Sequence, residues 1–354
     1  MTMGVPSRRK RARAAVWLGL LAFVSGTVLL NILLDTTRVR YLDPEFGWHA
    51  RHTQWRTSRE PERELGIVLG TSRAHVGFNP DELGLDGPDL PLVANFAQTA
   101  SVPVYSLLNL RRLLDLGIRP AFVLFEIMPL ALANDGAAED LVPPHRMGYR
   151  DSIALRDYGE SPTAWLHTRV APWSSYRINI LAHQFPDLLA DGWNPSWYWT
   201  RPSAAGWMPI NPEGITPERR AQYTAIAQTS YADSFRDFRI APRMDKANRE
   251  LLSLCRDRGI PCHGFRMPES PRFRSWYAPS ANAALAAYLA ELRRDFDFEC
   301  FDCAAWSDEI DFLDGHHLLV PGAAKFSKRF GSDCLKPWLG ELKRLQAESP
   351  KSLP

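Results

Sequence analysis

Read for hydrophobic period alone, the chain separates into one long apolar run, several short apolar stretches, and amphipathic stretches between them. The long run, Ala14 to Leu34, holds no charged residue. As a helix it is ~30 Å long, the thickness of a bilayer's hydrocarbon core. The short stretches, Gly66 to Leu69, Leu92 to Ala97, Ala121 to Met128 and Pro261 to Met267, are mostly Val/Phe/Ile-bearing and bounded by Gly, Pro or polar residues. That pattern predicts buried parallel strands. Between them, "VPVYSLLNLRRLLDLG" places Val104, Leu107, Leu108 and Leu114 near one helical face and ends at Gly117. "DKANRELLSLCRDRG" ends likewise at Gly259, and Leu285, Tyr288, Leu289 and Leu292 mark a third helix. Strands alternating with such helices predict an α/β fold, a parallel sheet covered on both faces, with ligands at the carboxyl ends of its strands. Residues 131–240 break the rhythm. They carry Trp165, Trp173, Trp193, Trp197, Trp199 and Trp207, several Pro and one clear helical pattern near Pro217 to Phe235. This predicts a Trp-rich insertion over the sheet's active edge, whose rings offer faces that stack on sugars as well as ordinary buried bulk.

Charge changes the picture at the N-terminus. Arg8, Arg9, Lys10, Arg11 and Arg13 form one basic cluster ahead of the apolar run, and Asp35 follows it. The run exceeds a signal-peptide core and no A-x-A cleavage site follows, so an uncleaved signal anchor is expected. Its N-terminus would be cytoplasmic and the rest extracytoplasmic, on the outer side of the inner membrane. Ala15 with Gly19, and Ala22 with Gly26, have the small-xxx-small spacing of packed membrane helices. The expected organisation is a basic tail over 1–13, an anchor over 14–34, a linker over 35–64, an α/β domain over 65–340 with the insertion 131–240, and a polar tail over 341–354. Across 354 residues the net charge is only +2 and the composition is ordinary for a globular protein, which gives no reason to expect a nucleic-acid partner. Cys255, Cys262, Cys300, Cys303 and Cys334 all fall in the last third. In an oxidising compartment they allow one or two disulfides. "CFDC" finds no second C-x-x-C or suitably spaced His pair to complete a zinc site, so no metal and no cofactor are expected.

Candidate chemistry begins at "VLGTSRAHVGF", residues 68–78, where a predicted strand stops at Gly70, Thr71 and Ser72. A Ser at such a strand end is exposed as a nucleophile once a His takes its proton and a carboxylate orients that His. "DFLDGHHLLVPGAAKFSKRF" supplies Asp314, His316 and His317 before Pro321 and a helix. Asp and His three residues apart on one loop meet the second requirement.

The order G-x-S after the first strand and D-x-x-H before the last helix resembles the SGNH/GDSL family of serine esterases and acyltransferases. Gly70, Thr71 and Ser72 stand for its first block, and Asp314 and His317 for its last. The resemblance implies a three-layer α/β/α, flavodoxin-like fold and a Ser72–His317–Asp314 triad. It also implies an oxyanion hole from the Ser amide, a Gly amide and an Asn side chain. Here "NFAQTAS" (Asn95 to Ser101) has Ala97 and Ala100 where the family has Gly, and Glu126 follows the third strand in place of G-x-N-D. The oxyanion candidates are therefore Ser72, Ala100 and Asn95, with Arg73, His316 and Glu126 expected on the substrate side. "GTSRAHVGFNPDEL", "NFAQTAS" and "RMPESPRFRSWY" further resemble anchored envelope proteins of alginate O-acetylation and teichoic acid D-alanine transfer. That likeness implies an O-acyltransferase, acetyl in kind, acting on an envelope or exported polysaccharide beside a membrane-bound O-acyltransferase. An esterase of the same mechanism and a non-catalytic anchored assembly module are the alternatives.

Overall fold

The computed structural model describes residues 8–37, 41–133, 142–159 and 162–348. Five strands, β1 (Leu65–Leu69), β2 (Leu92–Asn95), β3 (Phe122–Glu126), β4 (Cys262–Arg266) and β5 (Cys300–Asp302), form one sheet. The helices used below are α1 (Arg8–Thr36), α2 (Pro44–Arg59), α3 (Ser72–Gly77), α4 (Pro103–Asp115), α5 (Pro162–Val170), α6 (Pro172–Ser175), α7 (Arg177–Gln184), α8 (Pro217–Ser230), α9 (Pro242–Asp257), α10 (Pro279–Phe296), α11 (Val320–Phe330) and α12 (Lys336–Glu348). The chain forms two compact units, one of Met1–Gly47 with Pro143–Trp197, the other of Trp48–Val142 with Tyr198–Pro354.

The second unit is the α/β domain. All four strand pairings are parallel and the spatial order is β2-β1-β3-β4-β5. This is the doubly wound, flavodoxin-like order, which reverses direction between β1 and β3 and so opens a crevice at their carboxyl ends. Strand alternation divides the core. Val68, Val93, Phe122, Leu124 and Phe265 pack with Phe326 and Phe330 of α11 and Leu335 on one face. Ile67, Leu69, Val123 and Phe125 are buried on the other, where α4 and α9 lie together. Four of the strands fall within one to three residues of the predicted ends. The fifth, "CFD", is too short and too exposed at the sheet edge to show a period.

The remaining expectations need amendment. Residues 35–64 hold a helix, α2, where a linker was expected. The segment expected as a polar tail from 341 is largely the second half of α12, whose Leu342 packs against the core. Its final residues, 349–354, lie outside the described residues. The Trp-rich stretch is not one insertion with one helix. Residues 143–197 group with α1, residues 198–240 belong to the sheet unit, and short helices fill both. Many of these begin with Pro at their first position, a start signal that a search for long amphipathic periods passes over. All five cysteines are free thiols. Four of them nonetheless lie in two hydrogen-bonded pairs, Cys255 with Cys262 and Cys303 with Cys334.

α1 is long and apolar enough to cross a membrane, and its apolar window has no buried share. Phe23, Leu29 and Ile32 are each more than half exposed. In water that surface would be strongly unfavourable, so a bilayer or another apolar surface is its physical complement.

Candidate active site

Strand β1 ends at Leu69, and the chain turns through Gly70 directly into the short helix α3. A side chain at Gly70 would lie 2.6 Å from Glu126 Oε2 and 2.9 Å from Ala74 Cβ, so only Gly fits between the strand and its neighbours. Thr71 caps α3, its hydroxyl accepting from the Arg73 N–H at 3.2 Å. Ser72 is thus the first residue of the helix, and its N–H finds no acceptor among the described residues.

His317 arrives from a separate loop. Phe312 and Leu318 form an antiparallel bridge, and the Leu313 N–H donates to His317 O at 2.9 Å, closing the loop on itself. Gly315, at φ +92°, makes the turn in the left-handed region that favours glycine. The turn lets Asp314 Oδ1 accept both the His316 N–H (3.2 Å) and the His317 N–H (2.9 Å). Asp314 Oδ2 then lies 2.7 Å from His317 Nδ1, and His317 Nε2 lies 2.7 Å from Ser72 Oγ. Burial alone would raise the Asp314 carboxyl, but the His317 imidazole and its hydrogen bonds outweigh burial and hold it well below the usual carboxylate range. An ionised carboxylate on Nδ1 leaves Nε2 free to accept the Ser72 proton, the arrangement of a Ser-His-Asp triad.

The other expected site residues are placed differently. Arg73, Glu126 and His316 are 1%, 4% and 3% exposed, so they are buried supports rather than substrate-side groups. Glu126 Oε2 accepts from both the Thr71 N–H (2.7 Å) and the Thr71 hydroxyl (3.0 Å), fixing the residue before Ser72. Arg73, the residue after it, donates to Glu269 Oε1 at 2.8 Å and to Met267 O at 2.7 Å, with its Nε 3.7 Å from Glu126 Oε1. Burial raises the Glu126 carboxyl, opposed by Arg73 and Thr71. For Arg73, burial is outweighed by Glu269 and Glu126, which keep it charged. The turn that carries Ser72 is therefore clamped on both sides by buried charge. Glu269 and Tyr277, whose hydroxyl donates to Glu269 Oε1 at 3.1 Å, complete this cluster. Both stand inside the stretch RMPESPRFRSWY, but their role does not show there, because their partner Arg73 lies nearly two hundred residues away.

Removing Glu126 is expected to be costly. Glu126→Leu leaves Arg73 to Glu269 alone and strands two Thr71 donors, at about 1–3 kcal/mol for each buried donor left unsatisfied. Urea unfolding of the full chain in detergent checks this, and a midpoint equal to wild type would show that the clamp carries no stability.

Asn95 is not an oxyanion donor. It is fully buried, its amide donates to Ala74 O and Phe78 O at 2.8 Å each, and its Oδ1 accepts from the Ala97 N–H. Both its amide hydrogens are spent bracing α3 and its C-cap, which leaves none for an oxyanion. Ala100 is exposed in the loop after β2 with φ 58°, and its N–H, like that of Ser72, has no acceptor among the described residues. Among the Trp residues, Trp207 donates its indole N–H to Val76 O at 2.6 Å, so it too braces α3.

His316 packs against Phe273 (ring centroids 4.8 Å), Tyr231 (5.6 Å) and His317 (4.1 Å). Burial, and then the neighbouring His317, push its imidazole well below the ordinary 6.5, although Asp314 pulls the other way. The folded protein keeps His316 neutral where the unfolded chain binds a proton. Its contribution is thus complete above about pH 6.5 and is lost as pH falls below it. His316→Phe should flatten part of the fall in melting temperature between roughly pH 7 and pH 5. An unchanged pH slope would remove His316 from that balance. Asp314, His316 and His317 also offer ligand atoms within 4.8 Å of one another, but the Asp314–His317 bond already commits two of them to the triad.

Compared with known proteins, residues 52–163 match a family model described as a protein of unknown function, DUF1574. The match takes in Ser72, Ala100 and Glu126 and leaves out Asp314 and His317. No curated protein matches the chain.

Proposed function

We propose that this chain is a membrane-anchored serine acyltransferase of the SGNH type, with its α/β domain outside the cytoplasm, moving an acyl group, acetyl in kind, onto an envelope or exported polysaccharide. The observation that carries this reading is the continuous chain Ser72 Oγ, His317 Nε2, His317 Nδ1 and Asp314 Oδ2, with both links at 2.7 Å. The Ser72 oxygen attacks the donor's acyl carbonyl while His317 Nε2 takes its proton. The Ser72 and Ala100 N–H groups, both unsatisfied and both following carboxyl ends of adjacent strands, are the donors available to the oxyanion. Collapse of the tetrahedral centre breaks the bond to the leaving group, which receives the proton from His317, and a Ser72 ester remains. A sugar hydroxyl then attacks that ester, giving its proton to His317, which passes it to Ser72 Oγ as the Ser72–acyl bond breaks. The acceptor and a membrane-bound O-acyltransferase partner come from the sequence resemblance, and the anchor from α1 with its basic N-terminal flank.

The test uses the full chain in detergent. A fluorophosphonate should label Ser72, and with an activated acetyl ester the acetyl group should pass to a polysaccharide acceptor faster than to water. Hydrolysis without transfer would make the protein an esterase. Absence of labelling at Ser72 would leave an anchored assembly module.

A further inference from the structure

In the unit that contains α1, helices α5, α6 and α7 do not stay at the end of the apolar helix but run down its side. Asn31 Nδ2 donates to Arg169 O at 2.8 Å, and Arg169 Nη2 pairs with Asp35 at 2.9 Å. These contacts tie the end of α5 to the last turns of α1. Four residues later, Trp173 of α6 meets Phe23 edge-on, with ring centroids 4.9 Å apart. Phe23 lies about 12 Å deeper along the helix axis than Asn31. It sits at the centre of the uncharged run Ala14 to Leu34. α7 then climbs back. Asn179 Nδ2 donates to Tyr41 O at 3.0 Å and Gln184 Nε2 to Tyr41 Oη at 2.7 Å, beyond the apolar run. A residue in ring contact with Phe23 shares its depth, however α1 tilts.

We propose that residues 165–184 form a re-entrant hairpin that enters the outer leaflet beside α1, with lipid acyl chains as the partner of its exposed face. This rests on the anchoring of α1 proposed above and adds a second membrane contact. The surface fits that partner. Leu166, Val170 and Trp173 are 51%, 62% and 40% exposed, and residues 170–176 carry no charge. The backbone at the tip is closed locally, as a lipid environment requires. The Ser174 and Ser175 N–H groups donate to Ala171 O, the Tyr176 N–H to Pro172 O, and Arg177 Nη1 to Ser174 O. Two cations flank the tip: Arg169 is buried, paired with Asp35 and held over Trp165 and Tyr176, while Arg177 is exposed and folds back onto Ser174. Directly after Gln184, which reaches Tyr41, Phe185 is 60% exposed, where an interfacial belt belongs.

A fluorescent amino acid placed at Trp173, at the exposed neighbour Ser175, or at Trp17 of α1 reads depth directly. The full chain is reconstituted in phosphatidylcholine vesicles with and without bromine along the acyl chains. Position 17 should be quenched, and positions 173 and 175 should lose at least half as much fluorescence as position 17. Quenching at 17 with none at 173 or 175 overturns the hairpin and leaves the anchor standing. No quenching at 17 overturns the anchor and the hairpin together. Position 175 serves where substitution at 173 disturbs the contact with Phe23.

Discussion

Ser72→Ala is expected to lower acyl turnover by on the order of 10⁶, the loss typical when a triad serine is removed. The oxygen lost is the one 2.7 Å from His317 Nε2. Among the described residues no other hydroxyl hydrogen-bonds that nitrogen. The fold should not notice the change. A single half-buried hydroxyl contributes about 1 kcal/mol, and the turn that carries Ser72 is held by Thr71, Glu126 and Arg73 on either side. His317→Ala should nearly match Ser72→Ala. Because nucleophile and base act as a unit, the double variant should be scarcely slower than either single one. Initial rates with an activated ester, alongside a circular-dichroism melt, separate chemistry from folding. A Ser72→Ala rate equal to wild type would end the enzymatic reading of this site.

Asp314→Asn is the second large effect, on the order of 10⁴ in rate. The carboxylate makes three contacts at once, Oδ2 to His317 Nδ1 and Oδ1 to the two backbone N–H groups of His316 and His317. An Asn can keep its oxygen on the backbone donors only by turning its NH₂ toward Nδ1. The imidazole must then carry its proton on Nε2, where it cannot accept from Ser72. Stability should follow pH as well. The Asp314 carboxyl is held below its ordinary 3.8, so its contribution is present above that value and disappears as pH falls through the folded one. The melting difference between wild type and Asp314→Asn should therefore be full at neutral pH and close in strong acid. A difference that persists unchanged into strong acid would mean that packing, not charge, is what the substitution removes.

Some of this protein was legible along the chain because the relevant forces act locally. An uncharged run of membrane length announces itself wherever it falls, and α1 is where Ala14 to Leu34 placed it. Buried parallel strands read as short apolar bursts, because both their faces are covered. Ser72 and Asp314 with His317 were each visible as local turns, the first at a strand end and the second as a carboxylate three residues before a histidine. What joins them is sheet topology: the order that puts β1 in the interior and returns the chain through β5 brings residues 72 and 317 within one hydrogen bond. The roles of the polar neighbours were decided entirely at that level. Asn95, Glu126, Arg73 and His316 have the chemistry of site residues, but a side chain's role depends on which partners its fold supplies. Asn95 is consumed by two carbonyls of α3, and Glu126 by Thr71. His316 sits behind the triad against Phe273 and Tyr231. Position 173 follows the same rule: the sequence shows only a tryptophan between prolines and serines, and its depth is known only because the fold lays it against Phe23.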